Sequence, residues 1–246
     1  MGAVDLLRFP DDSALAEAAA ARWLAALDLA HRCGRPHHVA LSGGRIARRF
    51  FDAVVAQAAG RESLLERVHF FWADERCVPP DDPESNFRLA FERLLRPLNI
   101  PAAHIHRVRG EAPPEIAAAE ASAELQRVLG GRPGEPAVLD LVFLGMGEDG
   151  HIASLFPGVA DAPAAGDAPY RAVTAPKPPP SRVTLDYGPL ADARAVWVLA
   201  SGPGKDVALR NSLSPEGQTL LARLLRRRSR TVILTDIAGV PDGASG

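Results

Sequence analysis

The stretch Leu139–Gly158, LDLVFLGMGEDGHIASLFPG, constrains this chain more than any other. It begins within an apolar run, Val138–Leu144, broken only by Asp140 and set between Pro136 and Gly145. A run of that length with turn formers on both sides predicts a strand buried on both faces, as in a parallel sheet. Gly145, Gly147, Gly150 and His151 follow, and Ile152–Phe156 is expected to open a helix. A strand that runs into a glycine-rich turn puts backbone N–H groups and one imidazole at its carboxyl end. Open α/β sheets bind their ligands there.

The same arrangement recurs along the chain. His37–Leu41 reads as a strand that enters Ser42–Gly43–Gly44 and then a helix from Arg45 to about Ala59. Val68–Trp72 (VHFFW) ends in Asp74, Glu75 and Arg76. Ala195–Ala200 (AVWVLA) ends in SGPGK, with Lys205 before a further helix, and Thr231–Thr235 is a last strand. Arg171–Thr174 and Ser181–Tyr187 read as shorter strands on either side of APKPPP. There each proline restrains its own backbone and that of its predecessor, so Lys177 sits on a stiff segment. Between the strands lie helical patterns. One starts near Ala14 after a cap at Asp11–Ser13 and carries Leu15, Ala19, Trp23, Leu27 and Ala30 on one face as far as Gly34. Another is capped near Asp82 or Ser85, and a third runs from Pro114 to about Leu129. Ser214 and Pro215 suit the N-cap and first turn of a helix through Leu225. Alternating strands and helices predict an α/β fold, a mainly parallel open sheet with helices on both faces, Rossmann-like and continuous as one domain over 1–246.

Composition narrows the partners. A net charge of −2 over 246 residues gives no general attraction to nucleic acid or to a membrane. No run approaches the roughly 20 apolar residues of a membrane span. The first residues lack the basic and apolar regions of a signal peptide. Cys33 and Cys77 form no metal-ligand or redox spacing and read as free thiols, with Cys77 a packing residue. A cytoplasmic protein is expected. His104 and His106 lack a third ligand and read as surface or half-buried residues. Arg226, Arg227, Arg228 and Arg230 read as a solvated helix C-terminus, and the loop from Gly158 to Asp167 as mobile.

The strand ends converge on one expected cleft. It holds Ser42, Gly43, Gly44, Arg45, Asp74, Arg76, His151, Lys177, Arg182 and Lys205. Such local positive charge in a slightly acidic chain suits a small anion, above all a phosphorylated metabolite. A Gly-Gly turn also occurs without a ligand, but Arg45 at a helix start opposes the helix dipole, and a bound anion relieves that conflict. A histidine among cations is expected to stay neutral and to serve as a general base. Neither GxSxG nor HExxH is present, which favours metal-free base catalysis over a covalent serine or a zinc mechanism.

Taken together, GMGEDGHIASLFPG, WADERCVPPDDPESN, LSGG, APKPPPSRVTL and SGPGK resemble the 6-phosphogluconolactonase family over nearly the whole chain. The resemblance implies the glucosamine-6-phosphate isomerase type of fold. It implies hydrolysis of 6-phospho-D-glucono-1,5-lactone to 6-phospho-D-gluconate, in the oxidative pentose phosphate pathway, without metal or organic cofactor. His151 would be the base, Arg76 would stabilise substrate or oxyanion, and Asp74 would hold hydroxyls or neighbouring basic groups. Ser42, Gly43, Gly44, Arg45, Lys177, Arg182 and Lys205 would surround the sugar phosphate. Arg45–Ile46–Ala47 departs from the family's usual hydroxyl-bearing residues and proline after SGG, and Cys77 from the bulkier residue after DER. A glucosamine-6-phosphate deaminase or another sugar-phosphate isomerase is the rival, but SLFPG after GHIA argues for the lactonase. Monomer and homodimer both remain open.

Overall fold

The computed structural model describes residues 2–130, 137–158 and 168–239. Six strands form a wholly parallel sheet: β1 (Ala3–Arg8), β2 (His37–Leu41), β3 (Val68–Trp72), β5 (Leu141–Gly145), β8 (Ala195–Ala200) and β9 (Arg230–Thr235), in the order β1-β9-β8-β5-β2-β3. From β2 the chain steps outward to β3, then returns to the other side of β2 to lay down β5, β8 and β9. The direction of winding therefore reverses between β2 and β5, and the two loops leaving their carboxyl ends part to open a crevice.

Both faces of the sheet are covered. Helices α1 (Asp12–Arg32) and α2 (Arg45–Ala58) pack together on one face, where Trp23 meets Phe50, Phe70 and Phe143. Val142 and Leu144 alternate with Phe143 and so point the other way. They are 0% and 1% exposed, so the second face is covered too. The α1 start is as the sequence suggests: the Asp11 carboxylate accepts from Ala14 N–H.

A second, three-stranded antiparallel sheet holds β4 (Asp74–Arg76), β7 (Ser181–Leu185) and β6 (Tyr170–Thr174), in the order β4-β7-β6. The two strands flanking APKPPP thus leave the parallel sheet and pair as a hairpin. Alternation signals a strand but not its partner. Ala73 joins the sheets: its N–H donates to Leu41 of the first, and its carbonyl accepts from Leu185 of the second. Helix α3 (Asn86–Ala90) follows β4, with Ser85 as its cap, and α4 (Pro114–Leu129) packs on β6 and β7.

Several expectations need correction. Ile152–Phe156 opens no helix. Ile152 bridges Leu155, Ala153 has φ +48°, and Ser154 N–H donates to the Thr184 hydroxyl instead of to a helical carbonyl. Ser214 and Pro215 start no helix either. Ser214 ends α6 (Asp206–Leu213), and α7 (Leu220–Arg227) begins later, capped by Thr219. His106 is buried rather than at the surface or half-buried: it follows a 3₁₀ turn at Ala102–His104, and Ile105 beside it bridges Phe70. The N-terminal edge strand β1 and the short β4 carry too little pattern to be read in advance. The expected mobile loop from Gly158 to Asp167 lies, from residue 159 on, outside the described residues. No described helix is long and apolar enough to cross a membrane.

The arginine run after α7 is not uniformly solvated. Arg228 is buried, and its guanidinium donates to the carbonyls of Leu190, Ala191 and Ala193. These are terminal carbonyls of α5 (Tyr187–Asp192), which no helical N–H reaches. The positive charge also meets the negative end of that helix. Arg228→Met keeps the aliphatic stem and strands those carbonyls. Urea denaturation should show a loss of about 2–4 kcal/mol, whereas the exposed Arg61→Met should change little.

Five of the seven histidines gather at the amino ends of β2 and β3 and beside them. His69 Nδ1 lies 2.9 Å from His106 Nε2, and His106 Nδ1 lies 2.8 Å from Glu124 Oε1. His37 Nε2 accepts from Trp23 Nε1. Burial pushes His37 and His69 down to about 4 and lowers His106 as well. The folded state then binds fewer protons than the unfolded chain between about pH 4 and 6.5. This contribution to stability is complete above 6.5 and is lost as pH falls toward 4. His69→Asn should flatten the stability–pH curve over that window; curves parallel to wild type would count against the assignment.

Candidate active site

At the carboxyl ends of the parallel strands lies a cavity of about 600 Å³. All ten residues singled out from the sequence line it. The loop after β2 brings Ser42, Gly43, Gly44 and Arg45; β4 brings Asp74 and Arg76; the loop after β5 brings His151. Lys177 and Arg182 arrive on the β6–β7 hairpin, and Lys205 after β8.

His151 is held from three sides. Its Nδ1 lies 2.5 Å from Asp149 Oδ1, and its ring rests 4.4 Å from that of Phe156. Gly147 allows this approach, because a Cβ there would lie 2.0 Å from His151 Nδ1. With Nδ1–H donated to Asp149, Nε2 is left as the basic nitrogen. The imidazole pKa is lowered. Burial is the first cause and the Lys177 charge a further one; Asp149 and Asp74 oppose them. The expectation of a neutral imidazole rested on the cations, but desolvation is the larger effect.

The five cations divide into two groups. Arg182 is nearly buried: Nε donates to Pro179 O, Nη2 to Pro178 O, and Nη1 lies 3.5 Å from Ser154 Oγ. Its guanidinium thus braces the proline segment that carries Lys177. Arg76 Nη1 donates to the Glu84 carbonyl. By contrast, Arg45, Lys177 and Lys205 make no ion pair among the described residues. The Arg45 guanidinium reaches across to Gly202, whose added Cβ would lie 3.3 Å from Nη2. The Lys205 pKa is lowered by burial and then by Arg45, which places two cations together at one end of the cavity.

That end is also the N-terminus of α2. Gly44 occupies the cap position with φ +97°, and no side chain caps the helix. Its first N–H groups therefore lack side-chain acceptors, the arrangement that receives an anion elsewhere. The Ser42 hydroxyl does not add to it, since it donates to Phe143 O.

Several supporting residues, Ser154, Asn86 and Asp236 among them, were not singled out from the sequence. Asp74 is buried; its Oδ2 accepts from Ser154 Oγ at 2.6 Å, and Asn86 Nδ2 donates to its carbonyl at 2.9 Å. Asn86 also packs on Gly43, where a Cβ would lie 1.9 Å from its Oδ1. Glu75 turns the opposite way and accepts from the N–H groups of Arg76, Asn86 and Phe87 and from the Ser85 hydroxyl. Burial pushes its carboxyl up to about 7 against the pull of these donors. Asp236, at the end of β9, takes the Ser201 hydroxyl and Gly202 N–H and so fixes the turn before Lys205. Only spatial proximity reveals these partners, apart from Asp149, whose place two residues before His151 was a usable signal. The thiol of Cys77 is pushed up to about 11, chiefly by burial, as suits a packing residue. Among the described residues no cluster of three or more His, Cys, Asp or Glu is arranged to hold a metal ion.

Comparison with known proteins gives the family of this chain. Residues 10–234 match the family model described as glucosamine-6-phosphate isomerases/6-phosphogluconolactonase. A 6-phosphogluconolactonase of Mycobacterium bovis is 37% identical over 204 residues, covering 80% of this chain and 81% of the relative. One from Nostoc is 34% identical over 233 residues, covering 93% and 94%. The structure of 6-phosphogluconolactonase from Trypanosoma cruzi superposes with a TM-score of 0.81 at 26% identity, covering 96% of each chain. The chain is thus a member of the glucosamine-6-phosphate isomerase/6-phosphogluconolactonase family.

Proposed function

We propose that this protein is a 6-phosphogluconolactonase, hydrolysing 6-phospho-D-glucono-1,5-lactone to 6-phospho-D-gluconate. The observation that carries the reading is His151, a neutral base oriented by Asp149 in a cavity that also gathers uncommitted cations. The phosphate dianion sits at the α2 N-terminus between Arg45 and Lys205, and the lactone carbonyl lies toward His151. Arg45 supplies by charge and a planar donor fork what hydroxyl groups would supply at that turn.

In the reaction His151 Nε2 takes a proton from water as the water oxygen bonds to the lactone carbonyl carbon. The carbonyl oxygen becomes an oxyanion beside the Arg76 guanidinium. The bond to the ring oxygen then breaks, and that oxygen takes the proton from His151 to become a hydroxyl. The carboxylic acid formed loses its proton to solvent. Water is the nucleophile and His151 ends as it began, so no group beyond the chain and the substrate is needed.

A ring-opening isomerase or deaminase is the second reading, and it needs a carboxylate free to take a proton from the sugar. Asp74 is buried and bonded by Ser154 and Asn86, which ties it to the scaffold. The cytoplasm is the compartment that suits an exposed free Cys33 beside such a metabolic role.

Lactone generated in place, with acid release followed against the spontaneous rate, tests the reading. His151→Ala should lose about 10²- to 10⁴-fold in kcat, while Arg45→Ala should act mainly on KM. Equal acid release with wild type, His151→Ala and no protein would overturn it. The pH profile gives a second check. Because the His151 pKa lies below the usual 6.5, kcat/KM should stay level through neutrality. It should fall on the acid side as the imidazole takes up its proton. A limb centred above 6.5 would contradict a neutral, buried base.

A further inference from the structure

Phe156 takes no part in the chemistry above, yet three groups of the site meet at its ring. It is fully buried. The His151 ring centroid lies 4.4 Å from its own, the Lys177 Nζ 5.4 Å and the Arg182 Cζ 5.6 Å. Two cations at one ring repel each other. The negative face of the ring offsets part of that repulsion, and both lie within the roughly 6 Å over which such attraction acts. Arg182 has other partners, the carbonyls of Pro178 and Pro179. Lys177 is exposed, with no hydrogen bond or ion pair among the described residues. Its prolines fix its backbone but leave the long flexible stem free. The Phe156 face is the described contact that fixes where the ammonium sits.

We propose that Phe156 is a positioning residue: its ring face seats the Lys177 ammonium beside the His151 imidazole, so that base and cation meet the bound sugar phosphate together. The imidazole faces Asp149 from its own loop, Asp74 from β4, and Lys177 and Arg182 from the β6–β7 hairpin. The two carboxylates favour a protonated ring; burial and Lys177 favour a neutral one. Freeing Lys177 removes one weight from the neutral side. The inference rests on the lactonase reading for the role of His151 as base, but its test needs no substrate.

The test is an NMR titration of labelled His151 in the full chain, for wild type, Phe156→Leu, Phe156→Tyr, Lys177→Met and the Phe156→Leu/Lys177→Met double variant. Leucine keeps apolar bulk without a π face. The expected result is a raised His151 pKa in Phe156→Leu and in Lys177→Met. The double variant should shift no further than either single change, and Phe156→Tyr should titrate like wild type. In the lactonase assay Phe156→Leu should raise KM roughly 2- to 5-fold. An unshifted titration in Phe156→Leu or Lys177→Met, or additive shifts in the double variant, would overturn the proposal. Should Phe156→Leu not fold, the wild-type spectrum decides. The Lys177 ε-methylene protons should show the upfield ring-current shift of an aromatic face, and random-coil values there would sink the idea.

Discussion

The site depends on one change of partner in the backbone. At Trp72 the chain belongs to the parallel sheet, and two residues later it belongs to the antiparallel one. Ala73 bonds to both, through Leu41 and Leu185. The residues just past that joint are Asp74, Glu75 and Arg76, so they alternate across a strand only three residues long. Glu75 collects the N–H groups that start α3. Asp74 points the other way and holds Ser154, which belongs to the loop after His151. One short strand thereby fixes the entry to α3, the far side of the His151 loop and the β7 edge that carries Arg182. A buried carboxylate is costly unless donors surround it, and each of these two has donors from different elements. The polar network therefore specifies how the sheets meet.

The parallel sheet contributes direction. Every strand ends on the same side, and the winding reverses between β2 and β5, so the loops that follow them separate. Repulsion among five cations in one cavity would destabilise the empty protein if all were close and unpartnered. The structure limits that cost in two ways. Arg182 and Arg76 are bonded to backbone carbonyls, which lets them act as braces. Lys177 is seated at the Phe156 ring, whose negative face offsets part of the repulsion, while Arg45 and Lys205 stand together without a carboxylate partner among the described residues. Burial and then their mutual repulsion lower the Lys205 pKa, and a dianion relieves the repulsion on binding. The remaining strain is thus converted into affinity for the ligand, where it favours phosphate over a neutral sugar end.

Much of this was legible in the sequence because it follows from short-range pattern. Apolar runs that stop at Ser42, Asp74, Gly145 and Ser201 mark strand ends, and in a parallel sheet strand ends are neighbours. What was not legible depends on long-range pairing. The β6–β7 hairpin was visible as two strands but not as a separate sheet, since its register is set by Ala73, about a hundred residues earlier. Arg228 was indistinguishable from Arg226 and Arg227 until α5 placed its terminal carbonyls against it. Ile152–Phe156 has helical composition, but Ser154 is claimed by Asp74 and Thr184, and that tertiary demand outweighs local propensity. The same holds for Ser214–Pro215, a good local start signal at a place where α6 is still ending.

The distribution of histidines completes the physical picture. One lies at the carboxyl end of the parallel strands, beside Asp149; five lie near the amino ends of β2 and β3. Burial lowers the pKa of His151 and, in the distant group, of His37, His69 and His106, but with different consequences. In the distant group, His69 and His106 share a single hydrogen-bonded proton, and protonating both would set two donors against each other at 2.9 Å. That cost falls on the fold. At His151 the proton is accepted with a carboxylate already in place, so protonation silences the base without breaking its hydrogen bond to Asp149. Acid therefore silences the base at one end of the parallel sheet and strains the His69–His106 contact at the other. His106 keeps its carboxylate partner Glu124 when protonated, so the strain falls on its contact with His69 in β3.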